Sequence, residues 1–307
     1  MPRAASRDAE QRRPRPALPT LASRLRPAEG RLTMTQRLLA LLLASFTALL
    51  ATGAAAQEPD PAASAIWQKV RVSLFGDTTI GSADGVLVLE TPARAEDAAI
   101  VPLAIRAQFA QTPQRYIERI WLLIDRNPSP VAAVFELSPT SGRADIETRV
   151  RVEEYTHIRA VARTSDGRLH MATRYIKASG GCSAPAGKDA LAARASLGRM
   201  RLRLLGQPEP GKPTLAQLMI SHPNDSGLAM DQLTRTYAPP HFVRRVEVSY
   251  AGKPVLAADV DFSISENPNF RFWFTPADGG ELQAQVIDNQ DLKFSTRLSL
   301  GDARRGD

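Results

Sequence analysis

The chain has 307 residues, and its 39 Lys and Arg against 32 Asp and Glu give a formal net charge of +7. Residues 1–56 contain nine Arg and three acidic residues, a net of +6, which leaves only +1 for the rest of the chain. A nearly neutral chain whose aromatic residues are not interleaved with Lys or Arg lacks the basic surface of a nucleic-acid-binding protein. Nucleic acid is therefore excluded as a partner.

The segment that starts at Met34 has the features of a secretory signal peptide. An arginine precedes an apolar run at residues 38–50, and Ala-Ala-Ala-Gln follows at residues 54–57. A positive charge, a short apolar core and small residues at a cleavage site are typical of such peptides. We therefore assign residues 1–56 to an N-terminal extension and a signal peptide that is cleaved after Ala56. The expected product is periplasmic and has no membrane span.

Short runs of alternating apolar and polar residues, separated by turn signals, fill the rest of the chain and predict an all-β fold. The predicted architecture is two immunoglobulin-like β-sandwich domains in tandem, joined by a flexible Cys-bearing arm and a short helix. The predicted strands cover residues 70–74, 86–89, 101–105, 120–124, 131–137, 146–152, 157–163, 168–176, 200–204, 215–220, 244–250, 255–260, 269–274, 282–287 and 292–300. The predicted bounds are 57–177 for the first sandwich, 178–211 for the arm, the helix (188–197) and a linker, and 212–307 for the second sandwich.

Cys182 is the only cysteine of the chain. Ser179, Gly180 and Gly181 precede it and Ser183 follows, so we expect a mobile, solvated arm. A single cysteine in an exported protein indicates a reactive thiol or a disulfide between two copies. We therefore predict that Cys182 is exposed and is the point of covalent attachment for a cargo. The cations nearest to it in the sequence are Arg174 and Lys188, which are candidates to favour the thiolate.

Catalytic and metal-binding patterns are not evident in the sequence. The four histidines, His157, His170, His222 and His241, are far apart, and none lies at a short metal-ligand spacing from another His, Cys or acidic residue. No nucleophile elbow, phosphate-binding loop or His-Glu-x-x-His motif is present. We predict no metal, no cofactor and no enzymatic activity. A thiol enzyme would need a histidine that the fold brings next to Cys182.

The arm and the second half of the chain resemble a known family. Lys177-Ala178-Ser179-Gly180-Gly181-Cys182 resembles the carrier arm of SoxY, and the second half resembles SoxZ. The stretches that carry the second resemblance are Ile220-Ser221-His222-Pro223 with Gly227, Pro240-His241-Phe242-Val243, Tyr250-Ala251-Gly252-Lys253-Pro254, Ser265-Glu266-Asn267-Pro268 and Ile287-Asp288-Asn289. The fused arrangement is similar to SoxYZ-like carriers associated with quinoprotein dehydrogenases.

This resemblance implies a non-catalytic carrier that holds a sulfur-containing or other thiol-reactive intermediate on Cys182. The implied partners are periplasmic enzymes of sulfur oxidation or of quinoprotein (PQQ) alcohol dehydrogenase systems, with c-type cytochromes. The sequence departs from SoxY in two respects: its arm is internal, and the stiffer Ser183-Ala184-Pro185 follows the cysteine in place of glycines. The alternative is an adaptor whose immunoglobulin-like modules bind a quinoprotein dehydrogenase or cytochrome and in which Cys182 is incidental.

Overall fold

The structure is a computed structural model that describes residues 34–35, 58–184, 195–230, 235–277 and 279–303. The predicted signal peptide and its cleavage site lie almost entirely outside these residues, as does most of the predicted helix at 188–197. From Glu58 onward the chain forms one compact unit. In the described part of the chain, no helix is both long and apolar enough to cross a membrane.

The described residues from Glu58 onward form 15 strands and two α-helices, and Ala195 and Ser196, within the predicted helix at 188–197, are also helical. The strands are β1 (Ile80–Ser82), β2 (Leu87–Glu90), β3 (Val101–Ala107), β4 (Ile117–Ile124), β5 (Val131–Leu137), β6 (Ile146–Val150), β7 (Thr156–Thr164), β8 (Leu169–Ile176), β9 (Met200–Leu204), β10 (Thr214–Ile220), β11 (Val243–Tyr250), β12 (Lys253–Val260), β13 (Asn269–Phe274), β14 (Glu281–Asp288) and β15 (Lys293–Ser299). The helices are α1 (Ala65–Phe75) and α2 (Leu300–Ala303), and 3₁₀ turns lie at Pro61–Ala63 and Pro139–Ser141. The all-β, immunoglobulin-like prediction is confirmed.

Two sheets enclose the core. The nine-stranded sheet has the order β1-β8-β7-β4-β5-β12-β11-β14-β15, and the six-stranded sheet has the order β2-β3-β6-β13-β10-β9. Alternation along each strand places one set of side chains between the sheets. In β13, for example, Phe270, Phe272 and Phe274 are almost fully buried, whereas Arg271 and Trp273 between them are half-buried.

Both sheets contain strands from both halves of the chain. In the larger sheet β5 pairs antiparallel with β12, with Phe135 opposite Ala258. In the smaller sheet β6 pairs antiparallel with β13, with Glu147 opposite Arg271. The two sandwiches are therefore continuous through hydrogen-bonded strands at both junctions.

The strand predicted at residues 70–74 is wrong, because these residues lie in α1. Ser64 caps this helix: its hydroxyl accepts a hydrogen bond of 3.2 Å from the backbone N–H of Trp67. Trp67 and Phe75 pack with Trp121 on the outer face of the larger sheet. The spacing of Val70, Val72 and Leu74 resembles that of a strand with one buried face. In the structure, however, Val72 is 58% exposed and does not pack into a core.

Candidate functional site

The Cys182 arm is seated against the chain that follows β6. The backbone N–H of Gly180 donates to the Glu153 carbonyl at 2.8 Å, and that of Gly181 donates to the Val152 carbonyl at 3.0 Å. The Val152 N–H in turn donates to the Ala98 carbonyl at 2.9 Å. The arm therefore extends an ordered hydrogen-bond network, and we call residues 178–184 in this position the seated arm.

The Glu153 side chain binds the tip of the arm. One carboxylate oxygen accepts from the backbone N–H groups of Cys182 at 2.8 Å and Ser183 at 3.1 Å, and the other accepts from the Ser183 hydroxyl at 2.8 Å. From the second half of the chain, the Ser226 hydroxyl donates to the Cys182 carbonyl at 2.5 Å. Since the bonds to Glu153 involve a charged acceptor, they are the stronger kind of hydrogen bond.

Gly181 is a site of close approach in the seated arm. A Cβ atom there would lie 2.1 Å from the Ala98 carbonyl oxygen and 2.7 Å from the Val152 nitrogen, both of them backbone atoms. No side chain fits at these distances. Gly180 has a φ of +80°, a conformation that favours glycine. The seated arm therefore favours glycine at both positions, for a conformational reason at Gly180 and a steric reason at Gly181, in addition to the flexibility expected from the sequence.

The expected exposure of Cys182 is not what the structure shows. Its exposed fraction is 0%, while Ser179, Gly180 and Ser183 beside it are exposed. Burial, and then the Glu153 carboxylate, raises the pKa of the thiol to about 12, and Asp261 acts in the same direction. Because the thiolate is the nucleophile, a seated Cys182 is protected from reaction near neutral pH. The sequence did not indicate this, because the covering residues come from distant segments.

Arg151 is the cation beside Cys182, in place of the predicted Arg174 or Lys188. Its guanidinium lowers the pKa of the thiol, against the larger effects of burial and Glu153. It donates to the carbonyls of Gly181 at 3.3 Å and Asn224 at 3.3 Å, so it connects the arm to the second half. Arg174 is exposed on β8, and Lys188 lies outside the described residues.

A second cluster lies in the second half, where the fold brings together residues that are far apart in the sequence. His222, His241 and Asp288 have ligand atoms within 4.8 Å of one another. The Nε2 atoms of His241 and His222 lie 2.8 Å and 3.5 Å from the same Asp288 carboxylate oxygen. The other oxygen accepts from the backbone N–H groups of Gln290 and Leu292, each at 2.9 Å.

The hydrogen bonds of this cluster determine which nitrogen of the neutral His222 ring carries the proton. The backbone N–H of Asn224 donates to His222 Nδ1 at 3.1 Å, so the proton of the neutral ring is on Nε2, directed toward Asp288. Burial, and then His241, lowers the pKa of His222 to about 4. Burial of Asp288 opposes ionisation, but hydrogen bonds from His241 and the backbone hold its pKa below the usual value.

A metal ion at these three residues would require His222 to lose the Nε2 proton. The ring would then carry its proton on Nδ1, which faces the Asn224 N–H, and two donors would oppose each other. The residues therefore fit an imidazole–carboxylate cluster better than a metal centre; in this cluster His241 is hydrogen-bonded to Asp288, and His222 Nε2 lies 3.5 Å from the same carboxylate without a hydrogen bond of its own. This cluster anchors the loop at residues 222–226, whose Asn224 is fully buried and whose Ser226 contacts the arm.

Comparison with protein families identifies both halves of the chain. Residues 71–182 match the family described as sulfur oxidation protein SoxY, and residues 202–299 match sulphur oxidation protein SoxZ. The chain belongs to these families as a fused SoxYZ-like protein. The SoxY match ends at Cys182, the residue on the seated arm. Membership supports a carrier-type role in sulfur oxidation, a pathway in which SoxYZ proteins work with sulfur-oxidation enzymes.

Other comparisons add no functional information. No curated protein matches the chain. Among solved structures, a superoxide reductase (neelaredoxin) from Ignicoccus hospitalis is 13% identical, with a TM-score of 0.28, over 31% of this chain and 80% of that one. Fibronectin(III)-like modules of Clostridium thermocellum CbhA are 10% identical, with a TM-score of 0.20, over 69% of this chain and 90% of theirs. A glycosyl hydrolase family 2 member from Bacteroides cellulosilyticus is 11% identical, with a TM-score of 0.21, over 66% of this chain and 24% of that one.

Of the residues predicted from the sequence, the structure brings Cys182, Gly180, Gly181 and Ser183 together in the seated arm, with Ser179 at its exposed start. It does not bring a histidine to Cys182: the charged groups that shift the thiol pKa in the described chain are Glu153, Arg151 and Asp261. Glu153 and Arg151 were not among the residues that the sequence singled out. The feature of the sequence that could have identified them is the alternation of β6, which continues through Arg151 and Glu153.

Proposed function

We propose that this protein is a non-catalytic periplasmic carrier that holds a sulfur-containing intermediate covalently on Cys182 and presents it to partner enzymes. The observation that carries the proposal is the position of the single cysteine. It lies at the end of the SoxY match, on an arm held by hydrogen bonds and by no covalent cross-link. Such an arm can leave its seat without disturbing either sheet.

The seated arm and the released arm serve different needs of a carrier. In the seat, burial and the raised pKa keep the thiol neutral, which limits stray oxidation in an oxidising compartment. After release, the sulfur regains solvent and the pKa returns toward that of a free thiol. A partner enzyme that binds the released arm then meets a reactive nucleophile.

Loading by exchange needs no external oxidant. The Cys182 thiol gives its proton to solvent, and the thiolate attacks a cargo sulfur that carries a leaving group. A sulfur–sulfur bond forms while the bond to the leaving group breaks, and the leaving group departs with the electron pair. The quinoprotein dehydrogenase and c-type cytochrome partners, and a dimer linked through Cys182, stay predictions from the sequence.

Intact-mass measurement on protein taken from its native periplasm without reductant tests the proposal, with a repeat after dithiothreitol. We expect a discrete adduct that maps to Cys182 and is lost on reduction. A Cys182→Ser strain should lose the pathway that the carrier serves while the protein still folds and is exported. A bare thiol in the native protein, together with an unaffected Cys182→Ser strain, would favour the adaptor alternative.

A further inference from the structure

Arg149 and Arg151, at the end of β6, share an unusual environment. The Nε atom of each is buried and has no hydrogen-bond partner. Arg149 donates through Nη2 to the Asn267 carbonyl at 3.4 Å, and Arg151 donates only to backbone carbonyls. None of the ion pairs found within the described chain, which include those of Glu147 with Arg106 and Arg271, joins a carboxylate to the guanidinium of Arg149 or Arg151. Both are therefore cations with spare donors and with no bonded counter-ion among the residues that the structure describes.

The backbone places the two side chains close to each other. Residues two apart on an extended strand share a face and lie about 6.6 Å apart. This stretch is fixed against the second half: the Arg151 N–H donates to the Ser263 carbonyl at 2.7 Å, and the Ser265 N–H donates to the Arg149 carbonyl at 3.0 Å. The Asn267 N–H also donates to the His222 carbonyl at 2.8 Å, so the loops that receive the two guanidiniums touch each other.

Nearby acids do not neutralise this pair directly. Glu266, Asp225 and Asp97 act on Arg151 only at longer range. The Glu153 carboxylate is bound to the arm.

Arg149 also lines a groove of about 520 Å³ on the outer face of the smaller sheet. There Glu147 pairs with Arg106 at 2.7 Å and with Arg271 at 3.0 Å, and Glu90 pairs with Arg106. Both glutamates of the groove are thus engaged by other arginines. Arg149 is left as the cation of this groove that has no carboxylate partner in the described chain.

We infer that Arg149 and Arg151 form a binding site for a small oxyanion beside the seated Cys182. Arg151 is a buried cation without a bonded counter-ion among the described residues, which is costly, and the half-buried Arg149 two residues away adds a second positive charge that repels it. An oxyanion offers several acceptor atoms around one centre, which matches the fork of donors on each guanidinium. The second part of the inference rests on the proposed function: an anionic group carried on Cys182 occupies this site while the arm is seated.

The first test uses the unmodified protein and sulfate as the probe. The Nε–H signals of Arg149 and Arg151 are followed by ¹⁵N NMR during titration with sodium sulfate, with sodium chloride adjusted to keep the ionic strength constant. We expect saturable shifts of both signals and no saturable shift of Arg174, which is exposed on β8. Arg149→Gln should abolish the shift at Arg151, whereas Arg174→Gln should leave it unchanged. Unsaturable or absent shifts at both arginines would overturn the site.

The second test compares two adducts of Cys182 that differ in charge. Sulfite converts a mixed disulfide of Cys182 with thionitrobenzoate into the S-sulfonate and releases thionitrobenzoate. Methyl methanethiosulfonate gives the neutral S-methyl disulfide and releases methanesulfinate. Hydrogen exchange at the amides of residues 180–183 then reports how far the arm stays seated. We expect Arg151→Gln to lower the protection of the S-sulfonate form about tenfold relative to the S-methyl form.

An equal effect of Arg151→Gln on both adducts would refute the second part of the inference. If Arg151→Gln fails to fold, the same comparison is made with Arg149→Gln, because Arg149 is less buried. The outcome is separable from that of the proposed function. A bare thiol in the native protein, together with an unaffected Cys182→Ser strain, would refute the carrier and leave the sulfate titration valid. A negative sulfate titration would refute the anion site and leave the carrier intact.

Discussion

The Glu153 carboxylate accepts a hydrogen bond of 2.8 Å from the backbone N–H of Cys182, and the same carboxylate raises the pKa of the Cys182 thiol. One side chain therefore both holds the arm and keeps its sulfur neutral. Release of the arm removes both effects together.

Glu153→Gln should speed the alkylation of Cys182. The amide keeps the size of the carboxylate but loses its charge, and hydrogen bonds to a neutral acceptor are weaker by about 1 kcal/mol or more. We expect iodoacetamide to react about 5 to 30 times faster at pH 7.5, measured by intact mass. Glu154→Gln is the matched control, since Glu154 is exposed and pairs with Arg126. Equal rates in the two variants would contradict a role of Glu153 in holding the arm.

Gly181→Ala should prevent the arm from sitting in the observed position. The added methyl would overlap the Ala98 carbonyl oxygen at 2.1 Å, and neither backbone segment can move without breaking the Val152–Ala98 hydrogen bond. We expect the amides of residues 180–183 to lose protection from hydrogen exchange, while β3 and β6 keep theirs. Ser179→Ala, on the exposed start of the arm, serves as the control. Unchanged protection in Gly181→Ala would mean that the arm is not seated in solution.

The thiol makes the stability of the seated state depend on pH at the alkaline end. A raised pKa means that the seated arm prefers the neutral thiol, so this contribution is complete below the free-thiol pKa of 9.0 and is lost as pH rises toward about 12. Relative to Cys182→Ser, the wild-type protein should lose about 1 kcal/mol of unfolding free energy between pH 8 and pH 10. Urea unfolding at both pH values measures this difference. Parallel curves for the two proteins would contradict a buried thiol.

The buried His222 makes the free energy of unfolding depend on pH in the acidic range. Because the pKa of His222 is lowered from 6.5 to about 4, its neutral form stabilises the fold fully above pH 6.5, and this contribution is lost as pH falls toward 4. We expect a loss of a few kcal/mol of unfolding free energy between pH 7 and pH 4.5, reduced in His222→Gln. The His222 ring signals in NMR should titrate well below pH 6. A midpoint near 6.5 would show that the ring is accessible to water.

Periodicity predicted most of the fold, because most strands have one buried and one solvated face. The predicted bounds of β5 and β13 match the structure, and the Phe270, Phe272 and Phe274 alternation explains why. The α1 helix was missed since its apolar residues also alternate. Only the cap at Ser64 and the burial of Trp67 against the larger sheet distinguish it from a strand.

The candidate site was less predictable, because it is made by contacts between distant segments. The sequence singled out Cys182, yet its burial depends on Glu153, Arg151 and Ser226, which lie 29 to 44 residues away. The His222–Asp288 contact joins residues 66 positions apart in the chain. No local pattern indicates such pairings, and the alternation in β6 shows only that Arg151 faces away from the core between the sheets.

The shared sheets have a consequence for assembly. Where a carrier consists of two chains, the fraction that is paired falls as the chains are diluted. Here β5–β12 and β6–β13 form within one polypeptide, so the second half is present at a high effective concentration, independent of how much protein is made. Each cysteine arm therefore always has its own Ser226 and its own Asn224 loop beside it. Fusion fixes the stoichiometry at one arm per seat.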